Sequence, residues 1–292
     1  MPEYRLVVPA ELEGRTVRQA AMHGLGMSGG QFKRAKFHGS MRLNGLPVLA
    51  DARVHAGDAL ALAVPDKENT LPQPWAAPLS IPFEDDWFWM VDKPAPLPTA
   101  CSSRQSGPTL ENALYAWAGC PAQFVYRPVN RLDKGTSGLM LAAKNAHAQH
   151  LLQQLLHGPD FVREYLAVVE GAPPRDEGVI DLPIAKEDGA TVRRVVRPDG
   201  KPARTRYRVE ARANGRALVR LRLDTGRTHQ IRVHMAYLGC PVAGDFLYGG
   251  ELAALPGRFA LHSARLGVRH PVTGEWVERE SPLPQALWDL MR

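Results

Sequence analysis

Arg131-Leu132-Asp133-Lys134-Gly135-Thr136-Ser137-Gly138-Leu139-Met140-Leu141-Ala142-Ala143-Lys144 is the stretch from which the fold reads outward. A polar Gly/Thr/Ser loop carrying one aspartate runs straight into an apolar strand at Gly138–Ala143. Asn145 then caps a helix whose apolar residues Ala148, Leu151, Leu152, Leu155 and Leu156 follow the i, i+3, i+4, i+7, i+8 spacing of one buried face. Gly158 stops that helix, and Tyr165–Val169 reads as the next strand. Upstream, Phe88–Val91 is a short apolar strand closed by Lys93-Pro94. Downstream, Thr205, Tyr207 and Val209 alternate with Arg204, Arg206 and Arg208, as Ala217, Val219, Leu221 and Leu223 do with Arg220, Arg222 and Asp224. Such period-2 patterns are strands with one buried and one charged face. The class is therefore α+β.

The first ~65 residues form a smaller unit of their own. Val17–Met22 reads as a helix, Gln31–Phe37 as a basic amphipathic stretch, and Met41-Arg42-Leu43 as a strand entering an Asn44-Gly45 hairpin turn. A strand near Ala59–Leu62 closes it. Pro65, Pro72, Pro74, Pro78 and Pro82 mark a linker over 66–80, because proline disrupts both helix and central strand. The chain has 292 residues, 45% hydrophobic and 23% charged, so it is neither disordered nor fibrous. No run is long and apolar enough for a membrane span, and Met1–Arg5 shows no secretory leader. Three cysteines without Cys-x-x-Cys fit reduced thiols in a cytoplasm. A formal charge of +6 permits a polyanionic partner.

Several motifs have plain readings. Gly24-Leu25-Gly26-Met27-Ser28-Gly29 satisfies G-x-G-x-x-G, but it follows a helix instead of a strand and reads as a connection. His147/His150 and His229/His234 lack the i, i+4 spacing and the glutamate of a zinc peptidase helix, so no metal is expected. Arginines at 193, 194, 197, 204, 206, 208, 212, 216, 220 and 222, with Lys201, face only Asp199 and Glu210 within that run. They predict a positive patch suited to phosphates. Asp133 by itself is an ordinary turn residue. Thr225-Gly226-Arg227-Thr228-His229-Gln230-Ile231-Arg232-Val233-His234-Met235-Ala236-Tyr237-Leu238-Gly239 is a polar helix start. Its arginines oppose the macrodipole, which points to an anionic partner.

Together the Asp133 loop and the Gly226–His234 helix resemble the RluA-type RNA pseudouridine synthases. Phe83–Asp86 with Val91–Pro94, Arg163–Gly171 with its tyrosine, Gly244-Asp245 with Tyr248-Gly249, Leu261-His262 and His270–Gly274 follow in family order over 81–292. Residues 1–65 are similar to an S4 RNA-binding domain. The resemblance implies a catalytic domain on a mostly antiparallel mixed sheet with flanking helices, joined by the 66–80 linker to a small α+β S4-like domain.

It also implies an isomerase that detaches uracil from C1′, turns it and rejoins it through C5. Such an enzyme needs no cofactor and no metal, and must extrude its uridine from the stack. By resemblance Asp133 is the catalytic carboxylate, Arg232 the arginine that pairs with it and keeps it ionised, and Tyr165 the tyrosine that stacks on the flipped base. Arg131 is associated with the space the base vacates, Leu261 with an apolar wall, and Arg227 with RNA binding. Asn130 stands where the family usually has a histidine, and Pro96 where it usually has glycine. Ribosomal or transfer RNA is the expected partner, with no DNA and no membrane, for a cytoplasmic monomer. The rival is a non-catalytic RNA-binding or ribosome-assembly protein keeping the fold. A retaining glycosidase would need a second carboxylate about 5 Å from Asp133, and none stands out in either motif.

Overall fold

The computed structural model describes residues 3–65, 71–101, 107–156, 158–190 and 192–292. Its N-terminal part is a four-stranded antiparallel sheet of β1 (Glu3–Val7), β2 (Ser40–Leu43), β3 (Leu46–Pro47) and β4 (Ala59–Ala63), in the order β1-β4-β2-β3. Two helices, α1 (Val17–Gly24) and α2 (Gly29–His38), pack on it. Each opens with a capping box, Thr16 with Gln19 and Ser28 with Gln31. The G-x-G-x-x-G stretch thus lies at a helix–helix connection. Asn44 and Gly45 take φ of 52° and 82°, the left-handed pair that a two-residue hairpin turn needs. Tyr4, Val17, Phe32, Leu60 and Leu62 form a core separate from the rest of the chain.

Of the expected 66–80 linker, 66–70 lie outside the described residues, and 71–79 carry no helix or strand. From Ser80 a nine-stranded sheet begins. Its strands are β5 (Ser80–Glu84), β6 (Phe88–Lys93), β7 (Ser137–Ala143), β8 (Phe161–Glu170), β9 (Glu177–Asp181), β12 (Arg204–Ala213), β13 (Arg216–Leu223), β14 (Leu261–Arg269) and β15 (Trp276–Glu280). A separate hairpin holds β10 (Ile184–Lys186) and β11 (Arg194–Val196). The large sheet runs β5-β6-β7-β14-β8-β13-β12-β9, with β15 beside β14. Among the described residues, only the β7–β14 pair of this sheet is parallel. The mixed, mostly antiparallel sheet that the resemblance implies is the one observed.

Alternation along β7 builds two cores at once. Met140 and Ala142 enter one, with Leu110 and Leu114 of α3 (Leu110–Trp117) and Ile231 and Met235 of α5 (Gln230–Tyr237). Leu139, Leu141 and Ala143 enter the other, with Ala148 and Leu152 of α4 (Ala146–Leu155). A short α6 (Gln285–Trp288) runs on into a 3-10 turn, Asp289–Met291, whose Leu290 and Met291 are buried in the first of these cores. Truncating Leu139 or Leu141 to alanine is expected to cost about 2–5 kcal/mol, since both are fully buried. Gly138 is obligatory at the parallel crossing: its φ is +103°, and a Cβ there would lie 2.3 Å from the Ser263 carbonyl oxygen. Tyr4 brings the N-terminal unit against α4, its ring 4.7 Å from that of His147.

Candidate active site

The crossing of β7 and β14 decides where chemistry gathers. The loop before β7 and the loop after β13 open on one cleft of about 660 Å³, whose wall includes Asn130, Arg131, Asp133, Tyr165, Arg227, Arg232 and Leu261. All seven residues singled out from the sequence are therefore brought together. The Asp133 loop is pinned from outside: the Leu97 amide donates to the Lys134 carbonyl at 2.9 Å and Thr99 Oγ1 to the Leu132 carbonyl at 2.7 Å. On the other side, Gln230 staples the loop before α5. Its Oε1 accepts from the Arg227 amide and Thr225 Oγ1, and its Nε2 donates to the Arg204 carbonyl and Thr205 Oγ1.

Arg232 links the two loops. One terminal nitrogen donates to Asp133 Oδ2 at 2.9 Å, while Nε and the other terminal nitrogen grip Asp245 at 2.6 and 2.8 Å. Such a bidentate arginine–carboxylate fork fixes orientation as well as charge. The guanidinium also lies 4.2 Å from the Phe259 ring centroid and 5.1 Å from that of Tyr248. Burial works against its charge, but the Asp245 and Asp133 carboxylates overcome it and leave its pKa raised. Asp133 is 31% exposed through its side chain, and its Oδ1 has no hydrogen-bond partner among the described residues. One oxygen is thus held while the other stays open to the cleft.

Tyr165 sits mid-sheet on β8, paired with Leu221 on one side and Ser263 on the other. Burial pushes its hydroxyl pKa up, so it is a neutral phenol offering a flat apolar face. Leu261, at the start of β14, is buried in the same wall. Arg131 is exposed at the rim. Asn130 is buried, and its Oδ1 accepts from the Leu141 amide at 2.9 Å, which ties it to the strand. Arg227 donates from Nε to the Pro202 carbonyl at 2.9 Å.

Residues 87–237 match the family model described as RNA pseudouridylate synthase. The chain belongs to this family of isomerases. It is 39% identical over 259 residues to the Bacillus subtilis (strain 168) protein named uncharacterized RNA pseudouridine synthase YlyB, covering 87% of this chain and 85% of that protein. It is also 39% identical over 255 residues to ribosomal large subunit pseudouridine synthase D of Xanthomonas campestris pv. campestris, covering 82% and 76%. Among solved structures, human RNA pseudouridylate synthase domain containing 1 superposes with a TM-score of 0.60 at 26% identity, over 74% of this chain and 90% of that one.

In this synthase, sequence reasoning passed over several residues of the site. His229, the left-handed residue at the start of α5, puts Nε2 3.8 Å from Asp133 Oδ2. Its Nδ1 lies 2.8 Å from the Tyr248 hydroxyl, which also accepts the Arg194 amide. Desolvation pushes the His229 pKa down. Lys93 is fully buried, donates to the Pro94 and Leu97 carbonyls, and has its pKa lowered to about 7 by burial, against the pull of Asp133. Position along the chain carried no sign of these contacts, although His229, Tyr248 and Lys93 stand inside segments that carried the resemblance.

The arginine run needs a correction. Arg204 meets Asp181 and Asp224, Arg206 meets Asp224, Arg208 and Arg220 meet Glu210, Arg212 meets Asp176, and Arg216 meets Glu170. The outer faces of β12 and β13 thus form a lattice of ion pairs and not the bare positive patch expected. Beyond Glu210, the carboxylates stand outside the run: Asp181 on β9, Glu170 at the end of β8, Asp176 just before β9 and Asp224 just after β13. His234 is likewise structural, bonded to Thr205 Oγ1 at 2.9 Å and the Leu182 carbonyl at 3.0 Å.

Proposed function

We propose that the protein converts uridines of large-subunit ribosomal RNA to pseudouridine, with Asp133 as the catalytic carboxylate. The observation that carries this is the Asp133–Arg232–Asp245 chain at the floor of a cleft walled by Tyr165 and Leu261. The names of relatives such as the Xanthomonas enzyme favour ribosomal over transfer RNA.

The reaction breaks the N1–C1′ bond, turns the uracil and forms C5–C1′; C5 loses its hydrogen and N1 regains one. The uridine must leave the helical stack to reach the cleft. Tyr165 stacks on the extruded ring, Leu261 closes its far side, and Asp133 Oδ1 approaches the sugar or the base. Attack at C1′, addition at C6 and base loss through a glycal all require a carboxylate within reach of the glycosidic bond. Arg232 fixes that carboxylate and shares its charge as the transition state redistributes it. Arg131 fills the space vacated in the RNA, Arg227 shapes the rim, and Asn130 braces the loop from within the wall. Residues 1–65 act as an S4-like RNA-binding domain, 66–80 as a linker, and 81–292 as the catalytic domain.

Tritium release from RNA carrying 5-³H-uridine tests the reading without knowledge of the target. Total RNA from a strain lacking the gene is the substrate for wild type and Asp133→Asn. Release by wild type alone supports it. No release by wild type, with tight RNA binding retained, would favour a non-catalytic RNA-binding protein.

A further inference from the structure

Arg163 is a buried cation with no anion beside it among the described residues. It is 6% exposed, on β8 two residues before Tyr165 and on the same side of the strand. One terminal nitrogen donates to the Leu156 carbonyl at 3.0 Å, and the guanidinium lies 5.4 Å from the Phe161 ring centroid. Its Nε is buried with no hydrogen-bond partner, and no carboxylate among the described residues forms an ion pair with it. Gly226 packs directly against it, so that a Cβ there would stand 2.9 Å from the other terminal nitrogen. Desolvation pushes its pKa down.

An unpaired buried guanidinium is costly, and folding alone gives no reason to keep one. Here the group lines the cleft with Asp133, Tyr165 and Arg227. We infer that Arg163 binds a backbone phosphate of the RNA strand that delivers its uridine to Tyr165. Two residues along a strand span ~7 Å, the scale of the reach from a base to its own phosphate. A guanidinium presents its donors as a planar fork that matches phosphate oxygens. The glycine at 226 lets the loop approach that fork without a side chain in the way. The contact would order the flipped nucleotide as its base enters, so it belongs to binding more than to bond breaking.

This inference rests on the RNA-isomerase reading, and its test separates the two. Wild type, Arg163→Met and Arg163→Lys are compared on the same total RNA, by filter binding across KCl concentrations and by tritium release. Arg163→Met should raise KM and Kd about 10-fold, with KM rising more than kcat falls. The log–log salt slope should shrink by about 0.7, the loss of one phosphate contact on a single strand. Its melting temperature should equal or exceed that of wild type, since an unpaired buried charge has gone. Arg163→Lys should recover most of the slope. A Met variant with wild-type slope and Kd, or one that only melts lower, would overturn the inference. Absence of tritium release by wild type would sink the reaction, while the salt slope would still decide the phosphate contact.

Discussion

Arginine is used in two opposite ways on the two faces of one sheet. On the outer face of β12 and β13, half-exposed arginines stand beside carboxylates of Asp176, Asp181, Glu210 and Asp224. Inside the cleft, Arg163 is buried and makes no ion pair among the described residues, while Arg232 is shared between two aspartates. β8 shows the division within three residues. Arg163 and Tyr165 face the cleft, and Glu164 between them faces outward to Arg220 and Arg265 at 3.6 and 3.4 Å. Charge outside is neutralised by the protein; charge inside is left over for a ligand. The lesson is that a count of arginines says little until their partners are known.

The sharpest way to break that contrast is to remove the anion that the cleft itself supplies. Asp133→Asn keeps the shape of the side chain but removes its charge. Turnover in the tritium assay should fall ~10³-fold or more, with RNA affinity within a few-fold of wild type. Retained turnover would mean that Asp133 only shapes its loop. Arg232→Met comes next, because it strands Asp245, which has no solvent exposure at all. Removing one partner of a buried pair costs about 3–5 kcal/mol, read as a lower urea midpoint. The double variant Arg232→Met/Asp245→Leu should regain most of that stability and none of the activity. Recovery of both would show the fork to be structural packing.

How much of this was legible beforehand follows the same division. Helices, the β7 strand and the loop aspartate depend on local pattern, and α1, α4 and β7 lie where periodicity and caps put them. Asp133, Tyr165 and Arg232 came through the family resemblance. Asp245, His229 and Tyr248 stand in quoted segments, yet their roles exist only once α5 and the turn after it fold onto the Asp133 loop. The arginine run misled because cross-strand partners such as Asp181 on β9 are distant in sequence.

A buried base that can drop its proton sharpens the contrast further, because arginine cannot. His147 lies between the rings of Tyr4 and Trp87 on α4, its Nδ1 buried without a hydrogen-bond partner, and His150 is the nearby titratable group. Burial lowers its pKa from 6.5 to about 4. Between those values the unfolded chain binds the proton more readily, so stability is lost as pH falls from 6.5 toward 4. That loss is on the order of 1–3 kcal/mol. Urea unfolding at pH 7.5 and pH 4.5 should show a larger loss for wild type than for His147→Gln. Equal losses would mean that the site between the two rings accepts charge.

The smallest expected effect is the one that tests the outer face directly. Arg206 and Arg208 are exposed and sit opposite Arg222 and Arg220 across the strand pair. If Asp224 and Glu210 already satisfy them, phosphates gain little by competing, and exposed pairs contribute only ~0–1 kcal/mol to begin with. Arg206→Gln/Arg208→Gln should therefore change RNA affinity by less than about 2-fold and leave the salt slope intact. A slope that falls by one or two contacts would mean that RNA displaces the carboxylates, and the face would then be a docking surface held shut by its own ion pairs. An unchanged slope here, beside a reduced one for Arg163→Met, would place the phosphate contact in the cleft, where Arg163 is buried with no carboxylate partner among the described residues.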